Sequence, residues 1–313
     1  MEPIAKTILE RFQVRKSAQQ KIAFYHWLET LCKENGTACR VETGGLLNSR
    51  NIILGNPDTA EILLTAHYDT CARMPFPNLL FPRNILLTLL AQLGVLLPIF
   101  FIWGVAVALA AQLIEAQEFY WPVYGAGLLA FMLCMMAGPA NPHTANDNTS
   151  GVVTVLRTWF ALSEEQRAKT ACVLFDYEEL GLIGSARFVK CHPKAAKEAL
   201  VLNFDCVSDG DSILFVSKPG AAHHPLFHTL QKACETTAAN GKACHFYPSK
   251  STFYPSDQMN FKRGIGVAAF HKKKLGYRIG RIHTVRDTVY DEQNIDLLVA
   301  AVSGWISQTE ESA

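Results

Sequence analysis

The chain has no Cys-x-x-Cys pair, and its nine cysteines are odd in number and irregularly spaced. That pattern argues against a secreted disulfide framework. Residues 1–15 carry charges throughout and hold no apolar signal core, so the globular part is expected to face a reducing cytoplasm. Charge of either sign is not in excess: the net value is +1 at pH 7, and no bulk attraction to nucleic acid follows. Nor do aromatic and basic residues interleave in a base-stacking pattern, so a nucleic-acid partner is not expected. Finally, residues 84–114 lack any charged side chain.

What is present is a core-forming chain with 49% hydrophobic residues. Residues 17–33 suit an amphipathic helix, with Ile22, Trp27, Leu28 and Leu31 on its apolar face. Short apolar runs at 51–54 and 61–66 flank Gly55-Asn56-Pro57-Asp58 and predict two strands joined by a hairpin-like turn. Further on, helices are expected over 151–162, 184–190, 225–238 and 294–308, and strands over 170–175, 199–204, 212–216 and 267–270. Strands alternating with helices imply an α/β sheet covered on both faces. In such sheets ligands gather where strands end.

The uncharged stretch interrupts this pattern. Residues 84–114 and 119–137 are each long enough for one bilayer crossing, which takes about 20 residues. Glu115 and Glu118 lie in the turn between them, and Tyr120, Trp121 and Tyr124 stand where an interfacial aromatic belt belongs. Pro98 is expected to kink the first segment. Residues 79–141 are therefore expected to form a transmembrane hairpin inserted into a single domain spanning 1–313. The other reading is a buried or dimer-forming helical pair in a soluble protein. Arg73 and Arg83 flank the hairpin on the domain side, whereas the turn has no Lys or Arg. By the positive-inside tendency, the domain then faces the cytoplasm.

Histidines and carboxylates close the apolar runs. His67 and Asp69 follow residues 62–65, and alternation along a strand puts i and i+2 on one face. One can ligate a metal while the other accepts the second imidazole N–H; taken alone, the pair reads first as a satisfied structural histidine. Glu178 and Glu179 follow the buried-type run 172–175, where adjacent carboxylates are costly unless a cation compensates them. One would bind metal and its neighbour act as general base, or the pair simply caps the next helix. Asp147 between two asparagines has the form of an N-terminal cap, Asp205 that of a turn residue. His283, among Arg281, Arg286 and Asp287, also fits an exposed ion-pair network.

Taken together, the ordered set resembles the two-zinc aminopeptidase family, whose relatives include glutamate carboxypeptidases and glutaminyl cyclases. The set is His-x-Asp, Asn-Asp-Asn-x-Ser-Gly, Glu-Glu-x-Gly-Leu-x-Gly-Ser, a strand-terminal Asp, Ser-Asp, and His-Thr-x-x-Asp-Thr. It runs from about residue 61 to the C-terminal end, outside the apolar insertion. The resemblance implies a zinc-exopeptidase-like fold with a mixed, mostly parallel sheet. It makes Asp147 the carboxylate bridging two Zn2+ ions, with His67 and Asp205 completing one site and Glu179 and His283 the other. Glu178 would be the general base and Asp69 the partner orienting His67. The activity implied is an aminopeptidase or dipeptidase acting on short peptides. The alternatives are a glutaminyl cyclase-like acyltransferase, which would need one zinc, and a non-catalytic, receptor-like relative.

The chain departs from that family in several places. Gln258 follows Ser256-Asp257 where relatives often have His, and Ile282 precedes His283 where they often have Tyr. Tyr254, one position out of register, is the candidate oxyanion-stabilising tyrosine. The basic run Lys272-Lys273-Lys274 with Arg278 and Arg281 reads first as a solvated face. As functional readings, it captures a substrate carboxylate or touches anionic lipid. Arg278 and Arg281 are the substrate-binding candidates. Oligomeric state is left open, a dimer included.

Overall fold

A computed structural model describes residues 1–237 and 242–311. Helices α1 (Pro3–Arg11) and α2 (Ala18–Glu34) lead into strands β1 (Cys39–Gly44), β2 (Ser49–Leu54) and β3 (Ile62–His67). Two long helices, α3 (Ile85–Leu113) and α4 (Tyr120–Ala137), separate β3 from α5 (Gly151–Ala161) and α6 (Glu164–Lys169). Then come β4 (Thr170–Phe175), α7 (Ile183–Cys191), α8 (Pro193–Glu198), β5 (Leu200–Phe204) and β6 (Ser212–Ser217). The chain continues through α9 (Pro219–Ala222), α10 (Pro225–Thr237), β7 (Ala243–Pro248), β8 (Gly264–Lys273), β9 (Gly276–Arg278) and α11 (Glu292–Glu311). The expected helix over 225–238 ends here at Thr237; Ala238 lies outside the described residues.

The strands form one sheet in the order β1-β2-β4-β3-β5-β8-β6-β7, with β9 added to β8. Its centre, β4-β3-β5-β8, is parallel, and antiparallel pairs flank it. Strand alternation fills both faces. Ile62, Leu64, Cys172 and Leu174 meet α2, α5, α10 and α11 through Phe24, Leu156, Leu230 and Trp305. Leu63, Val173 and Phe175 point the other way, onto Phe188, Ala195 and Phe261. Helices therefore cover both faces, as the sequence pattern predicts.

One expectation needs correcting. β2 and β3 are not a hairpin: β4 lies between them, antiparallel to β2 and parallel to β3. The Gly55–Asp58 turn has to pass the start of β4 and so spans two strand spacings, about 10 Å. Gly55 permits this with φ +78°, and a Cβ there would sit 3.0 Å from the Thr170 carbonyl oxygen. All six residues of β4 are buried, consistent with a strand paired on both sides.

Helices α3 and α4 stand apart from this core. Only 6% of the most apolar part of α3 is buried, and none of that in the segment Gln117–Ala137, which contains α4; their mean hydropathies are 2.5 and 1.5. At 29 residues, α3 is about 44 Å long. Both helices are long and apolar enough to cross a membrane. Their base is stitched to the domain by an isolated bridge, Ala72 to Ala140, and a second, Leu80 to Ile279.

Candidate metal centre

Parallel neighbours β4, β3 and β5 end side by side, and the candidate residues lie at those ends. His67 is the last residue of β3, Asp205 follows β5, and Glu178 and Glu179 follow β4. Asp147 comes from the irregular turn before α5, where its backbone (φ −108°, ψ 96°) leaves helical values. His283 arrives from the loop after β9 with φ +61°.

Asp147 faces both histidines. Its Oδ1 lies 3.4 Å from His67 Nε2 and its Oδ2 lies 3.0 Å from His283 Nε2. Asp205 Oδ1 approaches His67 Nε2 at 3.5 Å, and Glu179 Oε2 approaches His283 Nε2 at 3.4 Å. The potential ligand atoms fall into groups within 4.8 Å of one another: His67–Asp147–Asp205, Cys71–Asp147–Glu179–His283, and His67–Glu178–Glu179.

This donor set fits a cation. Glu179 Oε1 is buried without any hydrogen-bond partner, which costs free energy unless something positive meets it. Without metal the cluster compensates by keeping protons. Burial, assisted by Asp147 and Asp69, pushes Glu179 up to about 8. Burial and neighbouring acids also hold Glu178 well above the carboxylate range, although His67 opposes them. Burial would lower both histidines, but the carboxylates outweigh it, raising His67 well above normal and His283 to about 9. For Asp147 burial is overcome by hydrogen bonds from His283 and His67, which hold it below the usual range.

A second layer fixes these groups. Asp69 Oδ1 and Oδ2 accept the backbone N–H of Glu178 (3.0 Å) and Glu179 (3.3 Å). His67 Nδ1 is 3.1 Å from the Asp69 backbone carbonyl and 3.6 Å from its carboxylate. Asp69 thus orients the imidazole mainly through its backbone, while its carboxylate clamps the Glu178–Glu179 turn. Asp287 accepts the backbone N–H of Asn146 (2.8 Å) and Asp147 (3.0 Å). Asn148 Oδ1 accepts from Gly151 N at 3.0 Å, and its Nδ2 donates to the Phe204 carbonyl at 2.9 Å. Asn148, not Asp147, thus meets the first amide of α5, and Asp147 faces the histidines. No side chain caps α7, so Glu178 and Glu179 are not helix caps either. His283 does not join an ion-pair network with Arg281, because Arg281 pairs with Asp209 at 3.3 Å.

Arg15, Lys21 and Cys71 had no signal in the sequence, whereas Asp257 belongs to the Ser-Asp motif. Arg15 is 0% exposed and donates to the carbonyls of Tyr68 and Phe12, both at 2.6 Å. Burial lowers its pKa to about 10, while Asp69 and Asp147 hold its charge in place. Lys21 forms a buried ion pair with Asp176. Asp257 is buried with neither carboxylate oxygen partnered, and burial pushes it up to about 7. Cys71 enters only through the fold.

The remaining candidates are placed as follows. Tyr254 is buried, and its hydroxyl donates to the Asp205 backbone carbonyl at 2.9 Å. Arg278 is exposed at the end of β9, opposite His271, and Arg281 lies against Asp209.

The model of peptidase family M28 matches residues 132–304, more than half of the chain. That stretch contains Asp147, Glu178, Glu179, Asp205 and His283, while His67 and Asp69 precede it. None of the curated proteins matches this chain in sequence. The fold is similar to a glutaminyl cyclase from Porphyromonas gingivalis, with TM-score 0.59, 16% identity and 97% of each chain covered. It is equally similar to a Zn-dependent exopeptidase from Parabacteroides distasonis (TM-score 0.60, 15% identity, 97% of this chain and 94% of that one). The LapA aminopeptidase of Legionella pneumophila aligns with TM-score 0.59 at 11% identity, over 97% of this chain and 68% of its own.

Proposed function

This chain belongs to peptidase family M28, and from that premise we propose that it is a membrane-anchored, two-zinc exopeptidase cleaving short peptides, of the aminopeptidase or dipeptidase type. The observation carrying this reading is Asp147, which offers one carboxylate oxygen to each histidine. His67, Asp147 and Asp205 would hold one ion, and Asp147, Glu179 and His283 the other. When bound, the zinc ions supply Lewis-acid polarisation of the scissile carbonyl and acidify water.

The chain's own residues do the rest. Glu178 takes the proton of the attacking water and delivers it to the departing amine. Burial raises its proton affinity, the direction a general base needs. Asp69 holds the Glu178 backbone N–H, and so the base, in place. Arg15 balances acidic charge beneath the site. Tyr254 supports the Asp205 backbone, and Arg278 and Arg281 are candidates for a substrate carboxylate.

A free substrate N-terminus is expected to be required. The test compares hydrolysis of aminoacyl and dipeptide substrates with their N-acetylated forms, with and without chelator. Chelator-sensitive hydrolysis of the free forms alone supports the reading; equal cleavage of both sinks the exopeptidase assignment. A second reading is a glutaminyl cyclase, a fold this chain shares, which would need one zinc rather than two. Cyclisation of glutaminyl peptides without hydrolysis would establish it. A non-catalytic relative is disfavoured because all five candidate ligands and Glu178 are present and gathered.

The exposed apolar pair α3 and α4 is read as the membrane hairpin, with the catalytic domain on the cytoplasmic side by Arg73 and Arg83. Retention in the membrane fraction after alkaline extraction supports this. Full release would favour a soluble helical pair instead.

A further inference from the structure

We propose that Cys71 is a metal ligand, its thiolate joining Asp147, Glu179 and His283 as the fourth protein donor of one site. This rests on the metal-centre reading above and adds a donor that the motif pattern does not contain. Cys71 Sγ lies within 4.8 Å of a ligand atom on each of the other three residues. Donors sharing one tetrahedral zinc, at about 2.0–2.3 Å from the ion, stand roughly 3.3–3.6 Å apart. A small inward movement of each side chain closes that gap.

Three independent features support the assignment. Cys71 is 1% exposed, so its sulfur meets the cluster rather than solvent. Glu179 belongs to the same group, and its Oε1 is buried with no hydrogen-bond partner, so a further donor in this cluster is left without a cation. The backbone of Cys71 is pinned where the apolar hairpin joins the domain: Asn141 N donates to Cys71 O at 3.1 Å, and Arg73 N donates to Pro139 O at 2.8 Å. The same base reaches the ligand loop, since Met74 N donates to His283 O at 2.6 Å and Asn141 Nδ2 to Thr284 O at 2.9 Å. The insertion thus holds a sulfur donor against the His283 loop. Cys206, beside Asp205 in sequence, belongs to no such group among the described residues.

The S–H bond of Cys71 breaks, a sulfur–metal bond forms, and the proton passes to solvent. Two consequences follow for the centre. One site has four protein donors including a soft sulfur, which favours Zn2+, Co2+ and Cd2+ over Mn2+ and Mg2+. The other, with His67, Asp147 and Asp205, keeps positions open for water and substrate. The two ions are then unequal, one held mainly for structure and charge, the other for chemistry.

The experiment uses the full detergent-solubilised chain, stripped of metal and titrated with Co2+. The expected result is a near-ultraviolet thiolate-to-Co2+ charge-transfer absorption that saturates with one of two equivalents. It should vanish in Cys71→Ser and Cys71→Ala, with Co2+ affinity reduced at least ~10-fold, the loss that even an outer partner of a ligand causes. Cys191→Ser, at an exposed position, should keep the band. Visible Co2+ bands in the unsubstituted protein without charge transfer overturn the Cys71 assignment and leave the metal centre standing. No bound Co2+ at all overturns the metal reading and this inference with it. The decisive spectrum is that of the unsubstituted chain and does not depend on either variant folding.

Discussion

Replacing Glu178 with Gln separates chemistry from metal binding. The substitution keeps the side chain's shape and leaves the backbone N–H of residue 178 on Asp69 Oδ1. On the proposed mechanism it removes the group that moves protons, a role worth about 10²–10⁴-fold in rate, or about 3–5 kcal/mol of barrier. It also removes one carboxyl from a cluster where Glu179, Asp257 and Asp205 push against it. The metal-free variant should therefore be more stable than the metal-free parent, while its activity collapses. Steady-state kinetics, zinc per chain and thermal unfolding after chelation are the three readouts. The expected result is kcat down 10²–10⁴-fold, KM and zinc content unchanged, and a higher metal-free Tm. Loss of zinc together with activity would refute the reasoning and make Glu178 a ligand, a role its grouping with His67 and Glu179 also allows geometrically. Activity within tenfold of the parent would remove it from proton transfer.

Asp147→Asn should lower zinc content at both sites, whereas Asp205→Asn should affect one; metal analysis showing one-site loss for both would contradict the bridging role. Stability of the metal-free protein should fall as pH rises from about 5 to 9. In that window the folded state keeps protons the unfolded chain releases: Glu179 (to about 8) and Asp257 (to about 7) above the ordinary carboxylate range, then His283 (to about 9) above the ordinary histidine value. Below pH 4 the sign reverses, because Asp147 and Asp69 are held low in the fold. Zinc-loaded protein should lack the slope from 5 to 9, and thermal unfolding across pH with and without chelator tests it. Lys21→Met leaves Asp176 buried without its cation and should destabilise by ~3–5 kcal/mol, read by denaturant unfolding. Adding Asp176→Asn should recover most of that loss.

The α/β order and the gathering of the candidate residues were legible because apolar runs stop at them: β3 at His67, β4 shortly before Glu178, β5 before Asp205. Periodicity carries that information within one element. It does not carry which strands become neighbours, so the turn at Gly55–Asp58 read as a hairpin while β4 claimed the space between β2 and β3. Strand β1 (Cys39–Gly44) is half-exposed at one edge and β7 (Ala243–Pro248) at the other, and neither shows a continuous apolar run. Arg15 and Lys21 come from an N-terminal stretch whose charges look solvated in sequence; only tertiary packing puts them under the acidic cluster. Cys71 is likewise silent, because its neighbours Glu179 and His283 are far away along the chain. Asp69 was legible as a partner of His67, but its clamp on the Glu178–Glu179 backbone was not.

A two-ion centre bridged by Asp147 fixes the zinc content of detergent-purified protein. Two zinc ions per chain are expected, falling toward none in Asp147→Asn. A protein that binds no zinc, while folded and retained in detergent, would contradict it.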